Sequence, residues 1–320
     1  MRYAIAPIGC RPWLLNGLSD RLIVSHYENN YGGAVRRLNA ISERLASLDF
    51  ATVPEFQVAG LKRDELVALN SMALHELYFA SLGGDGKPTE RMANALKESF
   101  GSVDRWRDEF TAMARALSGG SGWVLLVYLP RERRLVNQYA LDHTQNLATG
   151  TPILALDMYE HAYHIDFGAN AAAYIDATMR NADWARVELR YLSATGEGER
   201  GAGMAAQQTD LPFVSVEAIR DRMAGGETLR VIDVRPAKYH ELEKSTMAGA
   251  TWRDPERVAE WSRELSKSEP VLVYCVYGFH VGCGVTAALR KEGFDARYVA
   301  GGLSAWKAIG GKRTAGDATA

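Results

Sequence analysis

One segment of the 320-residue chain has too little apolar surface to help build a core. Residues 196–208, GEGERGAGMAAQQ, hold four glycines and almost no large apolar side chain. Burial there cannot offset the entropy lost on ordering the backbone, so the segment reads as a flexible linker between two folded parts. The length agrees, since a domain occupies roughly 150 residues. Composition is ordinary for a soluble globular chain, with 47% apolar and 24% charged residues. It excludes a wholly disordered chain, a collagen-like chain and a small disulfide-stapled scaffold. The net charge is −2 and is balanced on both sides of Ala194, so no global basic field favours nucleic acid. The longest apolar run, Trp123–Leu129, falls far short of the roughly 20 residues that cross a bilayer. The start of the chain lacks the pattern of a signal peptide. Three cysteines, Cys10, Cys275 and Cys283, are too few and too odd in number for a disulfide framework. The expectation is a reducing, cytoplasmic setting, with no membrane and no nucleic-acid partner.

Before the linker the pattern is mainly helical. Asp20 is placed to cap a helix through Leu22, Ile23, Val35, Leu38, Ile41 and Leu45, and Asp64 a second through Leu66, Leu69, Met72, Leu77 and Leu82. Together they predict a long helical hairpin over residues 1–86. Helices are expected at Thr89–Phe100, Val103–Leu117 and Ala169–Met179, and strands at Trp123–Leu129, Leu135–Leu141 and Ile153–Met158. Residues 1–195 thus form an α+β domain, with 87–195 as its α/β part. After the linker, strands and helices alternate. Helices are expected at Val216–Ala224, Pro255–Leu265, Val281–Lys291 and Ser304–Ala308, with strands at Leu229–Val234, Val271–Tyr274 and Ala296–Val299. That rhythm predicts an α/β domain with a parallel sheet over 209–313.

Chemistry-bearing residues concentrate in two places. His26 and His75 lie one on each long helix, Asp157 ends an apolar strand, and His161 follows it by four residues. A carboxylate leaving an apolar strand needs a partner. Three imidazoles and one carboxylate suit Fe or Mn, although the spacing alone is described more simply by a satisfied buried Asp and scattered core or surface histidines. The segment from Asp157 to His164, DMYEHAYH, resembles the D-x-[WF]-E-H-A-Y-Y signature of iron/manganese superoxide dismutases. His26 followed by Val35 and Leu38-Asn39, His75 followed by Tyr78-Phe79, and Ser121-Gly122-Trp123 resemble other landmarks of that family, in the same order. The resemblance implies a helical hairpin with a small antiparallel sheet. It also implies His26, His75, Asp157 and His161 as ligands of one Fe or Mn per chain, superoxide as substrate, and a homodimer in which Glu160 reaches the bound histidine of the other subunit.

The departures cluster around this ligand set. The family's gateway Tyr, eight residues after the first ligand, is Ala34, and the frequent His four residues after it is Asn30. Tyr159 replaces Trp or Phe, His164 replaces the last Tyr, and Ser71 holds one of the two positions that can supply an outer-sphere Gln. His143 aligns with the other, where a histidine would titrate near neutrality. Trp123 joins this surrounding shell.

The second cluster surrounds Cys275, which follows an apolar strand and precedes a helix. Backbone N–H groups and a helix N-terminus there favour a thiolate, though an inert cysteine at a strand end fits the same pattern. Asp233-Val234-Arg235, Met247-Ala248-Gly249-Ala250, Cys275-x-x-Gly278-x-His280 and Gly301-Gly302-Leu303-Ser304-Ala305-Trp306 resemble the motifs of rhodanese-like sulfurtransferases. That resemblance implies a persulfide on Cys275, with small sulfur donors and acceptors as partners. His280 stands where Arg is common, and Ser245-Thr246 where Gly-His is common. Cys283 is a small core residue or a resolving thiol, Cys10 is structural or idle, and His240 has no assigned role. The expected function is superoxide dismutation with an appended persulfide-forming domain. The alternatives are metal-dependent oxidation of a persulfide, or a metal-stabilised dimeric scaffold for a sulfurtransferase.

Overall fold

The structure is a computed structural model that describes residues 2–198 and 210–314. Most of the expected linker, from residue 199 onward, lies outside the described residues. The chain divides into two compact units. The first comprises Met1–Tyr3 and Gly9–Ala206, the second Ala4–Ile8 and Gln207–Ala320. The short stretch Ala4–Ile8, expected in the first domain, groups with the second, where the Ile5 amide donates to Glu217 Oε1 (2.8 Å).

In the first unit, helix α1 (Asp20–Ser25) runs through a π-helical turn (His26–Tyr31) into α2 (Gly32–Ala46). The capping residue is Ser19 rather than Asp20. Its hydroxyl accepts from the Leu22 amide, and Asp166 holds that hydroxyl in place. The returning helix α3 (Glu55–Ala80) begins well before the expected Asp64 cap. Asp64 is instead a half-buried mid-helix residue paired with Arg37 of α2. Leu38, Ile41 and Leu45 of α2 pack against Ala68, Leu69 and Met72 of α3.

Helices α4 (Glu90–Phe100) and α5 (Val103–Ala116) start at Thr89 and Ser102, whose hydroxyls cap the first turns. An antiparallel sheet of order β2-β1-β3 follows, from β1 (Trp123–Leu129), β2 (Arg134–Ala140) and β3 (Thr151–Asp157). The buried β1 is central, and Trp123 faces Ala140 on one side and Asp157 on the other. Helices α6 (His164–Phe167), α7 (Ala171–Arg180) and α8 (Trp184–Thr195) complete the unit. The sequence reading missed α8, whose buried Arg190 ties β3 to the end of α3 by donating to Ile153 O (2.8 Å) and Ser81 Oγ (2.8 Å).

The second unit has a five-stranded parallel sheet of order β4-β9-β8-β5-β7. Its strands are β4 (Phe213–Val214), β5 (Val231–Asp233), β7 (Thr251–Trp252), β8 (Val271–Tyr274) and β9 (Ala296–Val299). A small ribbon pairs β6 (Thr246–Met247) with β10 (Arg313–Thr314). The helices are α9 (Val216–Ala224), α10 (Ala237–Leu242), α11 (Val258–Trp261), α12 (His280–Lys291) and α13 (Gly302–Ala308). The helix expected over Pro255–Leu265 is broken into two 3-10 turns around the short α11. Trp261 is buried there with its indole N–H on the Asp254 carbonyl (2.8 Å), a contact that the apolar spacing did not reveal.

The loop after β8 is clasped by the start of α13. Leu303 and Ser304 amides donate to the Cys275 and Val276 carbonyls (both 2.9 Å). Gly302 has φ +57°, and a Cβ there would lie 2.4 Å from the Cys275 carbonyl oxygen. Gly302→Ala should therefore destabilise the second unit by about 2–4 kcal/mol. Denaturant unfolding of the full chain, followed by a probe in each unit, should show the second transition moved and the first unchanged.

Candidate metal centre and candidate sulfur site

Four elements deliver the metal-type side chains. His26 opens the π-turn, His75 lies on α3, Asp157 ends β3, and His161 sits in the 3-10 turn Glu160–Ala162. From Asp157 Oδ2 the distances to the Nε2 atoms are 3.1 Å for His26, 3.6 Å for His75 and 3.2 Å for His161. One ligand-type atom from each residue lies within 4.8 Å of the others. The remaining Asp157 oxygen accepts from the Tyr159 amide (2.9 Å). Behind the site, the Tyr174 hydroxyl donates to the Asp157 carbonyl (2.8 Å). Sequence reasoning missed Tyr174 because an α7 tyrosine on an apolar helix face carries no local signal of its reach.

The donor set fits a cation. His75 Nδ1 lies 2.6 Å from the Ser71 carbonyl, so that nitrogen carries the ring proton and Nε2 is left as a lone-pair acceptor. Among the described residues, His75 Nε2 is buried with no hydrogen-bond partner. Burial, reinforced by His26, lowers the His75 pKa to about 3, and burial likewise pulls His26 down. Both rings are thus neutral ligands at neutral pH. Burial opposes ionisation of Asp157, but His161 and His26 outweigh it and hold the carboxyl far below the usual range. An anionic carboxylate among three imidazole nitrogens in a largely buried site calls for a positive ion.

Residues 88–190 match the family model for iron/manganese superoxide dismutases, C-terminal domain, and residues 215–309 match that for the rhodanese-like domain. A protein of Cupriavidus metallidurans named superoxide dismutase [Fe] is 61% identical over 194 residues, covering 61% of this chain and 98% of that protein. Superoxide dismutase [Fe] of Aquifex pyrophilus is 33% identical over 192 residues, covering 58% of this chain and 89% of that protein. Superoxide dismutase [Mn] 1 of Halobacterium salinarum is 33% identical over 181 residues, covering 55% and 88% respectively. The chain belongs to the iron/manganese superoxide dismutase family. Its second unit is a rhodanese-like domain.

Around the superoxide dismutase-family centre, His143 stands in the loop after β2. The Trp123 indole donates to its Nδ1 (3.0 Å), which leaves the proton of the neutral ring on Nε2. Asn70 of α3 holds the His143 carbonyl (2.6 Å). The His143 ring stacks on Tyr159 (4.9 Å, 10°), and Tyr159 stacks on His161 (5.4 Å, 17°). His75 lies 6.3 Å from His143, centroid to centroid. Tyr159, His143 and Trp123 therefore gather beside the ligands. Asn30 is half-buried in the π-turn, while Glu160 and His164 are exposed. Ala34 is buried on α2.

In the rhodanese-like domain, Cys275 follows β8 and is only 5% exposed. Its Sγ lies against the first turn of α12, 3.3 Å from where a Cβ on Gly282 would stand. Gly278 takes φ +75° to turn the loop, and His280 opens α12, exposed. The Cys283 thiol donates to the Gly278 carbonyl (3.7 Å), a contact that braces the loop. His240 lies against Trp252 with tilted rings (5.1 Å, 32°). Cys10 is buried in the first unit, and burial pushes its thiol up to about 12, which keeps it protonated at neutral pH.

The structure moves one expectation. Burial lowers the His143 pKa below the ordinary 6.5, against the opposing pull of Asp157. The ring is therefore neutral at neutral pH, and its protonation falls on the acid side, not near neutrality. Superoxide-dismutation profiles of the wild type and His143→Gln should run parallel above pH 6.5 and separate below it, as the wild-type ring gains its second proton. Parallel profiles on the acid side as well would remove His143 from the proton path.

Proposed function

We propose that the first unit dismutates superoxide at one Fe or Mn ion held by His26, His75, Asp157 and His161. The observation that carries this reading is the convergence of the four side chains, with the buried Nε2 of His75 making no hydrogen bond among the described residues. A bound Fe or Mn would supply one-electron chemistry between its +2 and +3 states. The chain supplies the rest. Asp157 contributes the one anionic ligand, held by the Tyr159 amide and the Tyr174 hydroxyl. His143 holds a proton at Nε2, in the tautomer set by Trp123, beside the ligands. The stack of Tyr159 on His161 restrains that ligand ring. Fe is the first metal to test, because the 61% identical relative is named an Fe enzyme.

Replacing Asp157 by Ala removes the anionic ligand and should leave far below one metal per chain, while the second unit keeps its fold. Metal analysis and superoxide assay on purified protein measure both effects. Full occupancy in the variant would overturn the ligand assignment. A metal-loaded wild type without superoxide turnover would favour the alternatives: oxygen uptake with a persulfide would indicate metal-dependent persulfide oxidation, and neither activity a scaffold.

We further propose a homodimer with an isologous interface, in a reducing, cytoplasmic setting suited to three free cysteines. In the dimer Glu160 of one protomer reaches the partner subunit's His161, with His164 and Asn30 as a matched pair across the axis. The exposure of Glu160 and His164 in the single chain supports this arrangement. Sedimentation should give a dimer for the wild type and a weakened one for Glu160→Ala. A metal-loaded monomer would refute it. The rhodanese-like domain would carry sulfane sulfur on Cys275, activated by the loop amides and the N-terminus of α12.

A further inference from the structure

The surroundings of Cys275 bear on which donor it takes, provided that it carries sulfur as read above. The segment Cys275-Val276-Tyr277-Gly278-Phe279-His280 contains no Lys or Arg. The strands beside β8 do not make up for this. On one side β5 runs in register with β8, Asp233 opposite Tyr274, so Arg235 leaves the sheet at the same edge as Cys275.

The Arg235 guanidinium is committed elsewhere. Its Nε lies 3.0 and 2.9 Å from the two Asp233 oxygens, and Nη2 lies 2.6 Å from Oδ2. Nη1 donates to Glu243 O (2.8 Å), Nη2 also donates to Ser245 O (3.1 Å), and the residue is 1% exposed. Next along that edge, Arg253 after β7 pairs with Glu264 (2.9 Å). On the other side β9 continues into Ala300-Gly301-Gly302, which carry no charge. Val276 and Phe279 are half-buried in the loop itself.

A dianion approaching this thiol would lose water at two charges with no fixed cation from these segments to replace it. The N-terminus of α12 offers about half a unit of positive charge, which suits one sulfur anion. We propose that Cys275 takes its sulfur from an organic persulfide with an apolar substituent rather than from thiosulfate, and that Val276 and Phe279 determine this choice. The Cys275 thiolate attacks the outer sulfur of R–S–SH. The Sγ–S bond forms as the donor's S–S bond breaks, and the electron pair leaves on R–S⁻. The transferred sulfur keeps its proton, so Cys275 becomes Cys275–S–SH with no net oxidation.

The test uses the full chain under anaerobic conditions, with benzyl persulfide generated in situ and thiosulfate as donors. Gain of one sulfur at Cys275 is followed by mass spectrometry, with Cys275→Ser as the control. Loading from benzyl persulfide should be at least about tenfold faster, the factor given by roughly 1.4 kcal/mol. Phe279→Arg, and separately Val276→Lys in case the first variant misfolds, should shift the ratio toward thiosulfate by about tenfold in a salt-sensitive way. Equal or faster loading from thiosulfate, lost in Cys275→Ser, overturns the donor choice and leaves the sulfur carrier standing. A ratio unchanged in folded variants also overturns it. No loading from either donor overturns the sulfur carrier and this inference together.

Discussion

The first unit depends on one buried carboxylate. Asp157 ends β3 with no exposure, and a charge in that position is tolerable only when neighbours compensate it. Every nearby element answers to this requirement. The π-turn brings His26, α3 brings His75, and the 3-10 turn returns His161, all toward one oxygen atom. The Tyr159 amide and the Tyr174 hydroxyl fix the residue from the remaining directions. With two of the three imidazoles neutralised by burial, the protein alone leaves this charge under-compensated. The same imbalance leaves a buried negative charge that a cation would balance.

The second unit solves a similar problem by internal pairing. Asp233 is equally buried at the carboxyl edge of a strand, but Arg235 follows it by two residues and closes on both of its oxygens. This pair is complete within the fold, so it organises the loop edge without calling for a ligand. Cys275 occupies the adjacent strand end and is shaped chiefly by backbone: the Gly278 turn, the Gly302 approach and the amides of α13.

What the sequence made legible follows the range of the forces involved. Strands buried on both faces, Trp123–Leu129 and Val271–Tyr274, are continuous apolar runs and were found with their exact limits. The four residues of the metal-type cluster were found through a motif. Helix starts were less legible, because Ser19 outcompetes Asp20 as a cap through a tertiary contact with Asp166. The shell around the ligands was named but not arranged: the Trp123–His143 bond and the Tyr159 stack join residues whose spacing in the chain says nothing of contact. Arg235 was noted as part of a motif, yet its full engagement depends on carbonyls at Glu243 and Ser245.

The π-turn at His26–Tyr31 has a consequence for how one helix serves two masters. An ordinary helix advances by about 100° per residue, and one extra residue in a turn rotates everything after it by about that angle. The stretch before the turn aims Leu22 and Ile23 inward and the turn itself opens on the buried His26, while the stretch after it must lay Leu38, Ile41 and Leu45 against α3. The wide turn is thus a phase adjuster, decoupling the direction of the His26 ring from the direction of an apolar stripe. Removing one residue from this turn would rotate either His26 away from Asp157 or the Leu38–Ile41–Leu45 stripe away from α3.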